Sequence, residues 1–152
     1  MTENIYPVEL TAPDIEPYRT GNTGVEFVTT FDSGTAGPHV MINAVTHGNE
    51  ICGAIALDAL LKADVRPVQG KLTLGFINHM AFQTFDPQAP DLSRCVDEDF
   101  NRVWVEERLD GVEDTVELRR ARELRPIFDS VDLLLDIHSM GTNSGALMIC
   151  NG

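Results

Sequence analysis

Basic residues are scarce in this chain: 11 Lys and Arg stand against 24 Asp and Glu, a formal net charge of -13. Nucleic-acid binding depends on clustered cationic side chains that displace the counterions of phosphate, so no nucleic-acid partner is expected. The acidic surface also repels small anions at long range, and a carboxylate ligand would need local arginines to overcome that field. Cysteine is equally sparse. Cys52, Cys95 and Cys150 are odd in number and show no CxxC spacing, which argues against a disulfide framework or a thiolate zinc site and suits reduced residues in or near the core. Long apolar runs are missing too. None approaches the length of a membrane span, and residues 1–7 lack a basic region followed by an apolar stretch. No secretory signal and no membrane partner are therefore expected, and the location expected is cytoplasmic. There is no internal repeat, no low-complexity segment and no interdomain linker; 152 residues with 43% hydrophobic and 23% charged content suit one globular domain.

What is present alternates between strand and helix patterns. Residues 25–31 alternate like a strand, and the Asp, Ser, Gly and Pro of 32–38 form a turn into a second strand at 40–45. Residues 51–61 read as a helix, 71–78 as a third strand, and 131–137 and 146–150 as two more. Between them lies a long irregular stretch, 79–110, and a loop of that length is uncommon unless it is functional. A helix follows at 115–124, which Pro126 ends or kinks. Such alternation implies an α/β fold with helices packed on a sheet.

Against this background three residues stand out as a metal-ligand set: His47, Glu50 and His138. Hydrolytic zinc is commonly held by two imidazoles and one carboxylate, with the fourth position open to water. His47 follows a buried-strand pattern and Glu50 opens a helix, so the i and i+3 spacing places both on one side of the first turn. Gly48 permits a sharp strand-to-helix turn, and Asn49 is suited to cap the helix. His138 closes the apolar run 131–137 and supplies the remote third ligand. Asp136, two positions before it on the same strand, faces the same side and serves either as support for a ligand or arginine or as one half of a structural salt bridge. A lone His-x-x-Glu is weak evidence; the remote histidine is what strengthens it.

The long loop carries Arg94 and, further on, Asp99-Phe100-Asn101-Arg102. A guanidinium fork binds carboxylate through parallel hydrogen bonds and an amide adds orientation, so this group beside a metal suits a substrate with a carboxylate and a polarised carbonyl. The competing reading is a solvated loop in which Asp97, Glu98 and Asp99 simply pair with the arginines. His39 reads as structural or exposed, Trp104 and Phe100 as packing anchors, and His79 as a loop residue near the presumed active end of the sheet. The segment from Met140 to Gly145 reads as a flexible connection.

His47-Gly48-Asn49-Glu50, Asp99-Phe100-Asn101-Arg102 and Asp136-Ile137-His138-Ser139, in this order and approximate spacing, resemble the succinylglutamate desuccinylase and aspartoacylase family, which is similar in fold to the zinc carboxypeptidases. The resemblance runs from about residue 25 onward. It implies a mixed, largely parallel sheet flanked by helices, zinc carboxypeptidase-like and incomplete at its C-terminus, with residues 1–152 as the N-terminal portion of the catalytic domain. It also implies one Zn2+ per chain on His47, Glu50 and His138. Arg94 would polarise the scissile carbonyl, and Asn101 and Arg102 would hold the α-carboxylate of a small anionic N-acyl amino acid. The general base of the family is a glutamate on a later strand, which is expected downstream of Gly152. One departure is visible: His79 stands where many relatives have proline. Two alternatives remain, a zinc carboxypeptidase or cell-wall peptide hydrolase, and a metal-binding domain without turnover. Sheet edges that full-length relatives cover would favour a homo-oligomer.

Overall fold

Residues 7–140 and 145–150 are described by the computed structural model. Four strands form one sheet in the order β1-β3-β2-β4, with β1 (Val28–Asp32), β2 (His39–Ala44), β3 (Lys71–Phe76) and β4 (Leu133–Ile137). β2 runs parallel to both β3 and β4, while β1 is antiparallel to β3 on one edge. The mixed, largely parallel sheet that the resemblance implies is therefore present.

Alternation along the strands sorts residues to two faces. Leu72, Leu74 and Phe76 of β3 and Ala44 of β2 bury against helix α1 (Ile51–Lys62), which contributes Ile51, Ala54 and Leu57. Val28 and Met41 bury on the other face against Leu118, Ala121 and Leu124 of a long helix. With two four-residue helices in the intervening loop, α2 (His79–Phe82) and α3 (Glu106–Leu109), that helix is α4 (Val116–Phe128). The parallel strands β2 and β3 are thus covered on both sides, as parallel sheets require. At the carboxyl end of the sheet α1 sits close. A Cβ added at Gly53 would fall 2.8 Å from Ala44 Cβ and 3.0 Å from Ile137 O, so only glycine lets the helix start this close to β2 and β4.

Several boundaries depart from the sequence pattern for identifiable reasons. β1 begins at Val28 rather than at residue 25 because Phe27 takes φ +60°, which breaks extended geometry just before it. α4 continues through Pro126 to Phe128; proline so near the end disturbs little more than the last turn. The irregular stretch 79–110 holds α2, α3 and two 3-10 turns, Pro90–Ser93 and Phe100–Arg102. Residues 146–150, expected as a strand, have no strand conformation, and Leu147, Met148 and Ile149 are exposed. A strand exists only with a ladder partner, and among the described residues β4 pairs on one side only, with β2. Its Leu133, Leu134 and Leu135 are exposed accordingly. Among the described residues no helix is long and apolar enough to cross a membrane.

Candidate metal centre

The carboxyl end of β2 leaves the sheet at Val45, a buried β-branched residue held at φ +57°. That conformation is rare for a branched side chain, and such strain gathers where surrounding structure must hold a functional turn. It delivers Thr46 and His47 to the sheet end, and Glu50 follows as the N-cap residue of α1. Gly48 is needed here for space and not for φ: a Cβ would meet Ala81 C and Ser93 O, each at 2.3 Å. Asn49 does not cap the helix, because the N-cap position falls on Glu50; its amide reaches toward Asp91 instead.

His47, Glu50 and His138 converge. Their ligand atoms lie within 4.8 Å of one another, and the two imidazole centroids are 5.4 Å apart. Nδ1 of His47 lies 2.7 Å from Glu50 Oε1, and Nδ1 of His138 lies 2.7 Å from Glu50 Oε2. The Ser139 amide also donates to Oε2, at 3.1 Å. Burial alone would push the Glu50 carboxyl up, but the hydrogen bonds from His138 and His47 hold it at about 2. Nε2 of His138 donates to Asp136 Oδ2 at 2.7 Å. Held between Asp136 and Glu50, that imidazole is pushed up to about 10. Two Nδ1 atoms aimed at one carboxylate form a donor set that suits a tetrahedral divalent cation, which would take the place of the protons now between them.

The outer nitrogen of each imidazole meets a carboxylate. For His138 it is Asp136, itself fixed by the Asn43 amide at 2.7 Å and the Thr46 hydroxyl at 2.9 Å. For His47 it is Asp99, 3.1 Å from Nε2, and Arg94 Nη2 lies 2.9 Å from the same nitrogen. Arg94 Nη2 also donates to Asp99 Oδ2 at 3.0 Å, and Nη1 lies 3.8 Å from Glu50 Oε1. Burial opposes the ionised form of Asp99, yet His47 and Arg94 hold its carboxyl down at about 2. Arg94 is thus brought to the cluster. Asn101 and Arg102 lie on the adjacent 3-10 turn with exposed side chains. Asn101 lines, with Asn43, Thr46 and Asp136, a cavity of about 240 Å³, whereas the Arg102 guanidinium donates to the carbonyl of Asn101. Of the two readings of Asp97, Glu98 and Asp99, pairing with arginine describes Glu98 with Arg108 and Asp99 with Arg94, and Asp99 lies against His47 as well.

Sequence reasoning did not assign Asp99 to His47, although Asp99 sits inside the quoted motif between Arg94 and Asn101. His79, in contrast, is buried against Phe27, with ring centroids 4.4 Å apart, and its nearest carboxylate is Glu26 at 3.8 Å. It is a packing residue. His39 is structural, as expected: Nε2 meets Thr73 Oγ1 at 2.7 Å and Nδ1 the Ser130 carbonyl at 3.0 Å. Phe100 and Trp104 anchor the loop in edge-to-face contact, and Trp104 does the same on Phe128. Residues 141–144 of the expected flexible connection lie outside the described residues.

Comparison with known proteins adds an independent line. No curated protein matches the chain. Among solved structures, it is similar to an aspartoacylase family protein from Mesorhizobium loti, at 25% identity and TM-score 0.57 over 73% of this chain and 33% of that one. It is also similar to the product-bound ectoine utilization protein EutE (DoeB) from Ruegeria pomeroyi, at 26% identity and TM-score 0.55 over 76% of this chain and 34% of that one. A succinylglutamate desuccinylase from Silicibacter shows 25% identity and TM-score 0.56 over 74% and 32%. The matched region thus spans about a third of the length of these neighbours. The family model for the succinylglutamate desuccinylase/aspartoacylase catalytic domain matches residues 36–152, the stretch that holds His47, Glu50 and His138, and the chain belongs to that family.

Proposed function

We propose that this chain carries the metal site of a zinc-dependent amidohydrolase domain that cleaves the linear amide of small anionic N-acyl amino acids. The observation that carries the reading is the convergence of His47, Glu50 and His138 on one point, supported by the family match and by the neighbours named as desuccinylases. Zinc in such a site lowers the pKa of a bound water and polarises a carbonyl oxygen. His47 and His138 would bind it through Nδ1 and Glu50 through its carboxylate, while Asp136 keeps the His138 ring oriented. Arg94, already beside the cluster, would donate hydrogen bonds to the oxygen on which negative charge develops. Losing one such donor typically costs about 100- to 1,000-fold in rate. Asn101 and Arg102, exposed on the neighbouring turn, would hold the substrate carboxylate with amide and guanidinium. Local guanidinium charge is what lets an anion approach a surface of net charge -13. A cytoplasmic setting accompanies this reading, as does self-association along the exposed β4 edge.

The test is zinc content by elemental analysis together with hydrolysis of N-acetyl and N-succinyl amino acids beside peptides. One zinc per chain and acyl-amino-acid cleavage, both lost in His47→Ala and His138→Ala, are expected. Absence of bound zinc, or cleavage of peptides alone, would reject the proposal. Zinc uptake with no turnover at all would assign the chain as a metal-binding domain.

A further inference from the structure

Glu117 is fully buried yet has no cationic partner among the described residues. Its neighbours in α4 turn elsewhere, Arg119 to Asp114 and Arg120 to Glu123. A buried carboxylate without a cation persists only where hydrogen-bond donors replace the lost hydration. Here they come from one place. The backbone amides of three consecutive loop residues donate to it: Val96 to Oε1 at 2.7 Å, and Asp97 and Glu98 to Oε2 at 3.0 and 3.3 Å. The contact is reciprocal. Asp97 Oδ2 accepts the Val116 amide at 2.7 Å in the first turn of α4, and Glu98 accepts the Thr115 hydroxyl at 2.6 Å. Arg108 then clamps Glu98 with both terminal nitrogens, at 2.6 and 2.9 Å.

With Cys95, the clamped tripeptide links Arg94 to Asp99. Arg94 is tied by its carbonyl to the Gly48 amide at 3.0 Å, and Asp99 accepts the Asn101 amide at 2.9 Å. Both side chains bear on Nε2 of His47. We infer that Glu117 is a positioning residue of the metal centre, a buried latch whose hold on the amides of Val96, Asp97 and Glu98 sets where Arg94 and Asp99 stand against His47. Its catalytic consequence rests on the role proposed for Arg94. Glutamine in its place keeps the shape but offers one carbonyl oxygen and two N–H donors, so at least one loop amide loses its acceptor and faces another donor.

The experiment uses the zinc-loaded chain as wild type, Glu117→Gln, Arg94→Ala and the double variant. Amide exchange at residues 96–98, zinc content, and kcat and KM for an N-acetyl amino acid are measured. In the wild type the three amides should be protected. Glu117→Gln should release them while one zinc per chain remains, and kcat should fall about 100-fold, the scale of a misplacement near 1 Å. On the Arg94→Ala background Glu117→Gln should add almost nothing, because coupled residues are not additive. Freely exchanging amides in the wild type overturn the latch. An unchanged kcat, or an equal loss in both backgrounds, overturns the positioning role. If the wild type hydrolyses no N-acyl amino acid, the functional reading fails, and exchange at residues 96–98 still decides the latch.

Discussion

Asp136 is the residue on which two strands and one ligand depend. It accepts from Asn43 on β2, Thr46 after β2 and His138 beyond β4, so Asp136→Asn removes the charge behind the imidazole while keeping its shape. Zinc affinity should fall about 10- to 100-fold, as is typical for partners of metal-bound histidine; competition with a chelator measures it, and unchanged affinity would show that Asn43 and Thr46 suffice. A different histidine governs acid stability. His79, buried beside Phe27 and facing Arg19, Arg120, Glu16 and Glu26, is pushed by burial, and by the two arginines, from 6.5 down to about 4. The unfolded chain then binds the extra proton between about pH 4 and 6.5, so stability rises with pH through that window and is lost on acidification. His79→Gln should flatten the loss by about 1–3 kcal/mol. Denaturant titrations of both proteins at pH 5 and 7.5 would reveal it, and parallel curves would refute it.

At the scale of elements, the site depends on how tightly the turn after β2 packs under the loop. Gly48→Ala places a methyl group against the backbone of Ala81 and Ser93, neither of which is the end of a flexible side chain. Overpacking of this kind costs about 1–3 kcal/mol, and it also shifts His47. Lower Tm together with weaker zinc binding is the expected outcome; a Tm unchanged within error would show that the loop yields. The same packing explains which elements were legible in the sequence. α1, β2 and β3 are short, mostly apolar segments bounded by turn residues, and their places agree with expectation to within a residue or two. β1 was misplaced at its start because nothing in Val25, Glu26 or Phe27 announces a positive φ, which is imposed by tertiary packing. The segment 146–150 has the apolar content of a strand without a partner to pair with.

For the molecule as a whole, metal and fold should be linked. The proposed ligands are far apart in the chain, with His138 88 residues after Glu50, so an ion held by all three binds only the folded state. Free zinc at 100 times its Kd should add about 2.7 kcal/mol of stability. Thermal melts with zinc and after chelation would read this as a reversible rise in Tm. Equal melting in both conditions would show that the three side chains do not share an ion.

By itself the sequence determined the chemistry available: which residue types can bind a divalent cation, the order of the strands and helices that carry them, and an acidic composition unsuited to phosphate. These are local properties, set by side-chain identity and by periodicity along the chain. Only the tertiary structure decided that Nδ1 of His47 and Nδ1 of His138 meet the same carboxylate, that Asp99 meets both His47 and Arg94, and that His79 packs on Phe27 away from the cluster. Those outcomes depend on distances between residues far apart in sequence, and such distances are fixed by burial and backbone hydrogen bonds that no local pattern encodes.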